Sequence, residues 1–218
     1  MKRNLPALKL LPTIEYTGVN ELDPIKYYRL PVFGKLYRSR VEHCLAECKG
    51  GQSILEIGFG TGLTFLNLQE QYEKIYGLDL TADVDAISEL FSRHQVETDL
   101  KNGSVLDMPY EDNAFDTVLL ISILEHLQPE EQEIAFKEMR RVLKPGGQVV
   151  YGVPIERPLM VFLFRVLGHD IRQEHFSTEL NVSQAAKQLL DKVRIINIKG
   201  IPAFTGAVYQ VGHFVKAG

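Results

Sequence analysis

The densest chemical signal in the chain is the run Glu56-Ile57-Gly58-Phe59-Gly60-Thr61-Gly62. Glycines at alternate positions allow left-handed turns and let main-chain N–H groups approach an anion or a nucleotide closely. A helix that follows adds the positive end of its dipole. The same spacing also serves a purely structural tight turn. Asp79 stands about 20 residues downstream at the end of an apolar run, where an acidic side chain takes a pair of ribose hydroxyls. Taken alone, Asp79 would also serve as a strand-end cap. The turn lacks the Gly-x-Gly-x-x-Gly spacing of the dinucleotide fingerprint.

These residues need elements to hold them, and the sequence supplies an alternation. Runs at 53–57, 74–79, 97–102, 115–121 and 148–153 read as strands, and 64–71, 82–93 and 129–142 as the helices between them. Strands alternating with helices predict a parallel sheet covered on both faces. Ahead of it, 32–48 repeats apolar residues at helical spacing and stops at Lys49-Gly50-Gly51. Residues 1–30, with several prolines, read as an extended arm. After a helix at 183–191, the runs 193–199 and 207–216 follow one another without a helix and predict an antiparallel hairpin at the sheet edge. The expected organisation is an N-terminal arm and helix over 1–50, then one α/β domain over 51–218 with a cap insertion at about 154–180.

Bulk properties bound the partners. The 218 residues are 45% hydrophobic and 24% charged, with a formal net charge of -4. That suits one α/β domain with a cap, and no bulk basic field draws it to nucleic acid. Arg29, Lys35, Arg38 and Arg40 cluster locally, as a solvated face or as a contact for phosphate or anionic lipid. Cys44 and Cys48, four residues apart on the first helix, do not readily close a disulfide and are too few for a zinc site; a reduced cytoplasm suits them. No signal peptide is apparent, because Pro6, Lys9 and Pro12 break the apolar stretch after Met1-Lys2-Arg3. The most apolar window, 158–168, is interrupted by Arg165 and is too short to span a bilayer. A soluble protein is expected, with peripheral membrane contact left open.

Several motifs in order resemble the class I S-adenosylmethionine (SAM)-dependent methyltransferases. The turn at 56–62 resembles that family's first SAM-binding motif, E/D-x-G-x-G-x-G. Residues 103–110 with Asn113-Ala114-Phe115-Asp116 resemble its G-D-A-x-x-L-P-F…F-D block. Leu124-Glu125-His126-Leu127 and Arg141-Val142-Leu143-Lys144-Pro145-Gly146-Gly147 match two further signatures. The resemblance is close over 36–153 and strongest to quinone-biosynthesis and other small-molecule methyltransferases. It implies a Rossmann-like doubly wound sheet, mostly parallel with an antiparallel C-terminal hairpin strand, and SAM as cofactor. Glu56, Gly58, Phe59, Gly60, Thr61 and Gly62 would line the methionine and ribose portion. Asp79 would hold the ribose hydroxyls, Leu80 would pack on the adenine, and Asp107 and Met108 would read its edge. Ile121 and Ser122 would face the methionine moiety.

The sulfonium already activates the methyl group, so the protein must align a nucleophile and exclude water, with a base where the acceptor is a phenol or alcohol. His126 and His175 are the candidates; each also reads as a residue that orients its own segment. Some relatives bind a divalent metal with Glu-x-x-Glu-His, but Ser122 fills the first position here, and no metal is assigned. The segment His175-Phe176-Ser177 departs from the family's H-x-x-F-[ST] spacing. The stretch 158–168 reads either as core or as a greasy lid over an apolar or lipid-like acceptor methylated at oxygen or carbon. Arg157, Arg165 and Arg172 beside it would steer an anionic group or simply be solvated. A nicotinamide-dependent oxidoreductase and a non-catalytic SAM-binding module are the competing readings. The acidic charge, and Ile121-Ser122-Ile123-Leu124 in place of an Asn-Pro-Pro-Tyr motif, argue against a nucleic-acid substrate.

Overall fold

The computed structural model describes residues 4–16, 24–31, 33–155, 176–200 and 206–218. Its centre is a 7-stranded sheet in the order β3-β2-β1-β4-β5-β7-β6. The strands are β1 Gly51–Ile57, β2 Tyr72–Asp79, β3 Thr98–Asn102, β4 Phe115–Ile121, β5 Leu143–Pro154, β6 Asp191–Lys199 and β7 Ala207–Val215. Strands β1 to β5 pair in parallel, and β7 runs antiparallel to both β5 and β6. The central strands are continuously buried, as in Ile54-Leu55 and Val118-Leu119-Leu120, because helices cover both faces.

On one face α1 (Phe33–Glu47), α2 (Phe65–Leu68) and α3 (Val84–Arg93) place Val41, Cys44, Leu45, Phe65, Leu90 and Phe91 in a single apolar cluster. On the other, α4 (Pro129–Val142) and α5 (Glu179–Leu189) contribute Phe136, Met139, Val142, Val182 and Ala186. The helix starts follow local chemistry. Asp83 accepts from Ala86 N at 3.1 Å ahead of α3, and Glu131 takes the Gln128 N–H at 2.8 Å ahead of α4, where Pro129 sits at the first turn.

The doubly wound sheet and both flanking layers match the expectation, and four details differ. The helix expected over 64–71 is a single turn, because Gly51 pairs with Tyr72 and the chain must already be back at the sheet by then. Strand β5 begins at Leu143, five residues early, since Lys144 to Gly147 run alongside β4 through a bulge rather than forming a separate loop. The final hairpin lies at the sheet edge as expected, with its second strand inside: β7 is inserted between β5 and β6.

The fourth difference is the N-terminal arm. Among its described residues Leu8, Leu11, Tyr16, Ile25 and Tyr28 are buried in the same cluster as α1. Hydrogen bonds hold the arm where periodicity cannot: Leu8 N donates to Glu42 Oε1 (3.0 Å), and Asn67 clamps both Lys9 N (2.9 Å) and Ala7 O (3.0 Å). The basic cluster is therefore only in part a solvated face: Lys35 and Arg29 are exposed, but the arginines also make specific bonds. Arg29 donates to Leu11 O (2.9 Å) and Arg38 to Tyr28 O (2.8 Å), so these arginines fasten the arm. No helix among the described residues is long and apolar enough to cross a membrane. The stretch 158–168 lies outside the described residues.

Candidate active site

The glycine turn opens from the end of β1. Gly58, Gly60 and Gly62 have φ of 70°, 51° and 74°, the left-handed region that disfavours a side chain. They differ in what surrounds them. A Cβ on Gly58 would stand 2.0 Å from Ile123 Cδ1, and one on Gly62 would stand 2.4 Å from the Phe91 ring. At Gly60 the same direction is empty of described residues to 4 Å. Packing therefore accounts for Gly58 and Gly62 as structural glycines. Around Gly60 the turn instead leaves an open approach to exposed backbone, the geometry a ligand needs.

Asp79 reaches this turn from the end of β2. Its Oδ2 accepts from Gly60 N (3.0 Å), and its Oδ1 from Thr81 N (2.9 Å) and Ala82 N (3.0 Å). It acts as a cap and tethers the glycine turn to β2, with lone pairs to spare for one more donor. Leu80 beside it is 72% exposed, a large apolar side chain presented to solvent at the mouth of the turn. Glu56 lies beneath, buried, and accepts from Thr64 Oγ1. Burial pushes its carboxyl up to about 8, an effect the Thr64 hydrogen bond opposes and nearby Asp79 reinforces. Thr61 is buried in the turn, and Phe59 turns inward, 5.9 Å from the Phe65 ring, so Phe59 offers backbone to a ligand rather than its side chain.

The expectation for Met108 needs correction. Its main-chain N–H donates to Glu138 Oε2 (2.9 Å) and its side chain is buried, so it presents no free edge to an adenine. The Glu138 carboxylate is itself held by Arg141, at 2.8 and 2.7 Å, while Arg141 also donates to Met108 O (3.0 Å) and Tyr110 O (2.7 Å). Arg141 thereby folds the 108–112 loop onto α4. Asp107 remains exposed next to it.

Beyond β4 the site changes character. Ile121 is half-buried, and Ser122 adopts φ 58° with its N–H on Gly152 O (2.8 Å). The Ser122 hydroxyl meets Arg40 Nη2 (3.2 Å) and Tyr209 Oη (3.0 Å). The Arg40 guanidinium carbon lies 4.6 Å from the centroids of both Tyr37 and Tyr209. His126 ends a short 3-10 helix, Leu124–His126, and is exposed. His175 lies outside the described residues; the two that follow it are bound to the same segment, Phe176 N to Glu125 O (2.8 Å) and Ser177 Oγ to Leu127 O (2.7 Å). Among the described residues no group of three or more His, Cys, Asp or Glu could hold a metal.

Residues 55–151, the span holding the turn, Asp79 and β4, match the family described as a methyltransferase domain. The chain is 31% identical over 119 residues to a demethylmenaquinone methyltransferase of Staphylococcus carnosus, covering 53% of this chain and 48% of that protein. It thus spans about half the length of that curated relative. A solved protein of Pyrococcus horikoshii superposes with a TM-score of 0.68 at 21% identity, covering 91% of this chain and all of that one (100%). The geranyl diphosphate C-methyltransferase of Streptomyces coelicolor, solved with Mg2+, geranyl diphosphate and S-adenosyl-L-homocysteine, gives 0.70 at 13% identity over 99% of this chain and 92% of that one. At these identities the solved structures show the fold.

The family match thus places a methyltransferase domain within the chain, at residues 55–151. Of the residues expected to serve it, the fold brings Glu56, Gly58, Gly60, Thr61, Gly62, Asp79 and Leu80 to one end of β1 and β2, and Ile121 and Ser122 to the neighbouring end of β4. Residues that fit SAM are present on the methyltransferase side of the turn: open backbone at Gly60, and in Glu56 a buried carboxyl that a cationic ligand would ionise. Sequence reasoning had Arg40 only as one of a basic cluster, a solvated face or a contact for phosphate or anionic lipid, and did not single out Tyr209. The signal existed for Arg40, which interrupts the apolar stripe Tyr37, Val41, Cys44 of α1. Tyr209 had none, since its neighbours come together only when β7 inserts beside β5.

Proposed function

We propose that this protein transfers a methyl group from SAM to a small acceptor with an apolar body, at oxygen or carbon. The observation that carries the reading is the open left-handed backbone at Gly60, tied to Asp79 at 3.0 Å and backed by the buried Glu56, within a span that matches the methyltransferase domain. SAM supplies the activated methyl when bound. Glu56 then faces the ammonium of the methionine portion, Asp79 takes a ribose hydroxyl through its unused lone pair, and Leu80 covers the adenine with apolar surface. Asp107 is retained as a polar contact at the adenine edge.

The acceptor lies beyond Ile121 and Ser122, and the apolar composition of 158–168 supports a water-poor enclosure for it. His126 and His175 are the proposed bases for an acceptor that must lose a proton, supported by the tie of Phe176 to the segment bearing His126. A cytoplasmic setting is proposed from the free, buried Cys44 and Cys48; burial pushes both thiols up, Cys48 to about 12, which leaves them unreactive. The test is calorimetry of the purified chain with S-adenosylhomocysteine and with NAD. Saturable binding of the former alone is expected, and binding of NAD alone overturns the proposal.

A further inference from the structure

We infer that Arg40, clamped between Tyr37 and Tyr209 and hydrogen-bonded to Ser122, recognises an oxyanion, a carboxylate or a phosphate, carried by the methyl acceptor. The inference rests on the methyl-transfer reading and adds a substrate class to it.

Location comes first. Ser122 follows β4, and Tyr209 on β7 pairs with Pro154 at the end of β5, so the guanidinium sits over the ends of β4, β5 and β7. The glycine turn is at the end of β1 on the other side of β4. Tyr209 is three strands from it, roughly 14 Å at ordinary strand spacing, which sets its side of the guanidinium toward the acceptor rather than the donor. The placement is built into the sheet. At Gly152 on β5 a Cβ would stand 2.6 Å from Tyr209 Oη and 2.8 Å from Cys44 Sγ, so glycine there makes room for the tyrosine that supports Arg40.

Chemistry comes second. A guanidinium carries about five N–H donors in a rigid planar fork that matches oxyanions bidentately. Among the described residues its one recorded hydrogen bond is to a neutral hydroxyl, Ser122 Oγ, and its sealed Nε has no partner. Two aromatic faces hold the plane by cation–π attraction but satisfy none of the N–H groups. Desolvation works against the charge on Arg40, and the surroundings of Tyr209, Tyr28, Tyr37 and lastly Glu125 outweigh it, so the guanidinium stays a cation. A charged guanidinium held between aromatic rings, with only a neutral hydroxyl as hydrogen-bond partner among the described residues, at the acceptor end of a methyltransferase sheet is a recognition element for an anion.

The probe is a set of eight-carbon compounds titrated calorimetrically into the full chain saturated with S-adenosylhomocysteine: octanoate, octyl phosphate and octanol. At least one of the two anions should bind roughly 10- to 100-fold more tightly than octanol, and which of them does so separates carboxylate from phosphate acceptors. Arg40→Met should abolish that preference while S-adenosylhomocysteine affinity stays within about threefold. Arg40→Lys keeps the charge without the fork, guards against a Met variant that fails to fold, and should lose about tenfold of the preference. A head-group preference absent from the unaltered chain, or unchanged in both variants, overturns the inference alone. So does a collapse of S-adenosylhomocysteine binding in Arg40→Met with the preference intact, which would make Arg40 a partner of the donor's own carboxylate. Failure of the unaltered chain to bind S-adenosylhomocysteine overturns the methyl-transfer reading and this inference together.

Discussion

Two charges lie on α1, half-buried Arg40 toward one end of the sheet and buried Glu47 toward the other, and the fold treats them differently. Glu47 is answered from within the molecule: His213 Nδ1 lies 3.0 Å from its Oε2 and Arg194 Nη1 donates to Oε1 at 3.4 Å. Among the described residues Arg40 has a neutral hydroxyl, two aromatic faces, an unmatched Nε and a carboxylate, Glu125, that acts on it without a hydrogen bond between them. A charge whose partners are supplied by the fold serves stability. One whose partners are withheld is kept for something that arrives later. The glycines of the turn divide the same way: Gly62 is required by Phe91, whereas among the described residues nothing occupies the space over Gly60.

The sharpest way to break this division is the glycine pair. Gly62→Ala combines a strained φ with a clash against Phe91 and should cost about 3–4 kcal/mol, read as a shift of the urea midpoint. Gly60→Ala carries the backbone strain alone, about 1–2 kcal/mol, but should weaken S-adenosylhomocysteine binding in calorimetry; equal destabilisation by the two would erase the distinction. Next, Glu47→Ala should lose about 2–3 kcal/mol of stability, because His213 and Arg194 remain behind. Arg40→Met should cost less than about 1 kcal/mol in the same denaturation series. A loss at Arg40 matching that at Glu47 would make both structural. Asp79→Ala comes next, weakening SAM binding by about 1–3 kcal/mol; unchanged affinity would leave Asp79 as a cap only.

The smallest effect is in pH dependence, and the two buried titrating groups act with opposite sign. Burial holds the Glu56 carboxyl at about 8 against an ordinary 4.5, so the folded state binds more protons than the unfolded one between these values. Its contribution is complete below 4.5 and is lost as pH rises through 8. Burial lowers His213 below its ordinary 6.5, so its contribution is present above 6.5 and is lost as pH falls through the folded value. Glu56→Gln should flatten the decline in stability between pH 4.5 and 8 while leaving the acid-side loss in place. A decline that persists unchanged in the variant would remove Glu56 as its source.

The same contrast separates what could be read in the sequence from what could not. The β1–β2 side was legible because its residues are contiguous or sit at fixed offsets: the turn at 56–62, Asp79 at a strand end, and buried strands as unbroken apolar runs. Met108 misled because its N–H is taken by Glu138, a residue far away in sequence that Arg141 holds in place. The arm escaped periodicity analysis since Leu8 and Leu11 are placed by Glu42, Asn67 and Arg29 through individual hydrogen bonds. Arg40 looked like one of several surface cations because its aromatic partner Tyr209 lies far along the chain, joined only through sheet topology.

That topology also orders events in time. Strand β6 precedes β7 in the chain, yet it reaches the sheet only through β7, whose partners are β5 on one side and β6 on the other. Until 207–215 are available, β5 exposes a bare hydrogen-bonding edge and β6 has no strand to join. Assembly must therefore await a late, long-range closure, the slow and aggregation-exposed step of such folds. Tyr209 rides on the strand that closes it, so the Arg40 clamp cannot exist in any partly assembled form of the protein.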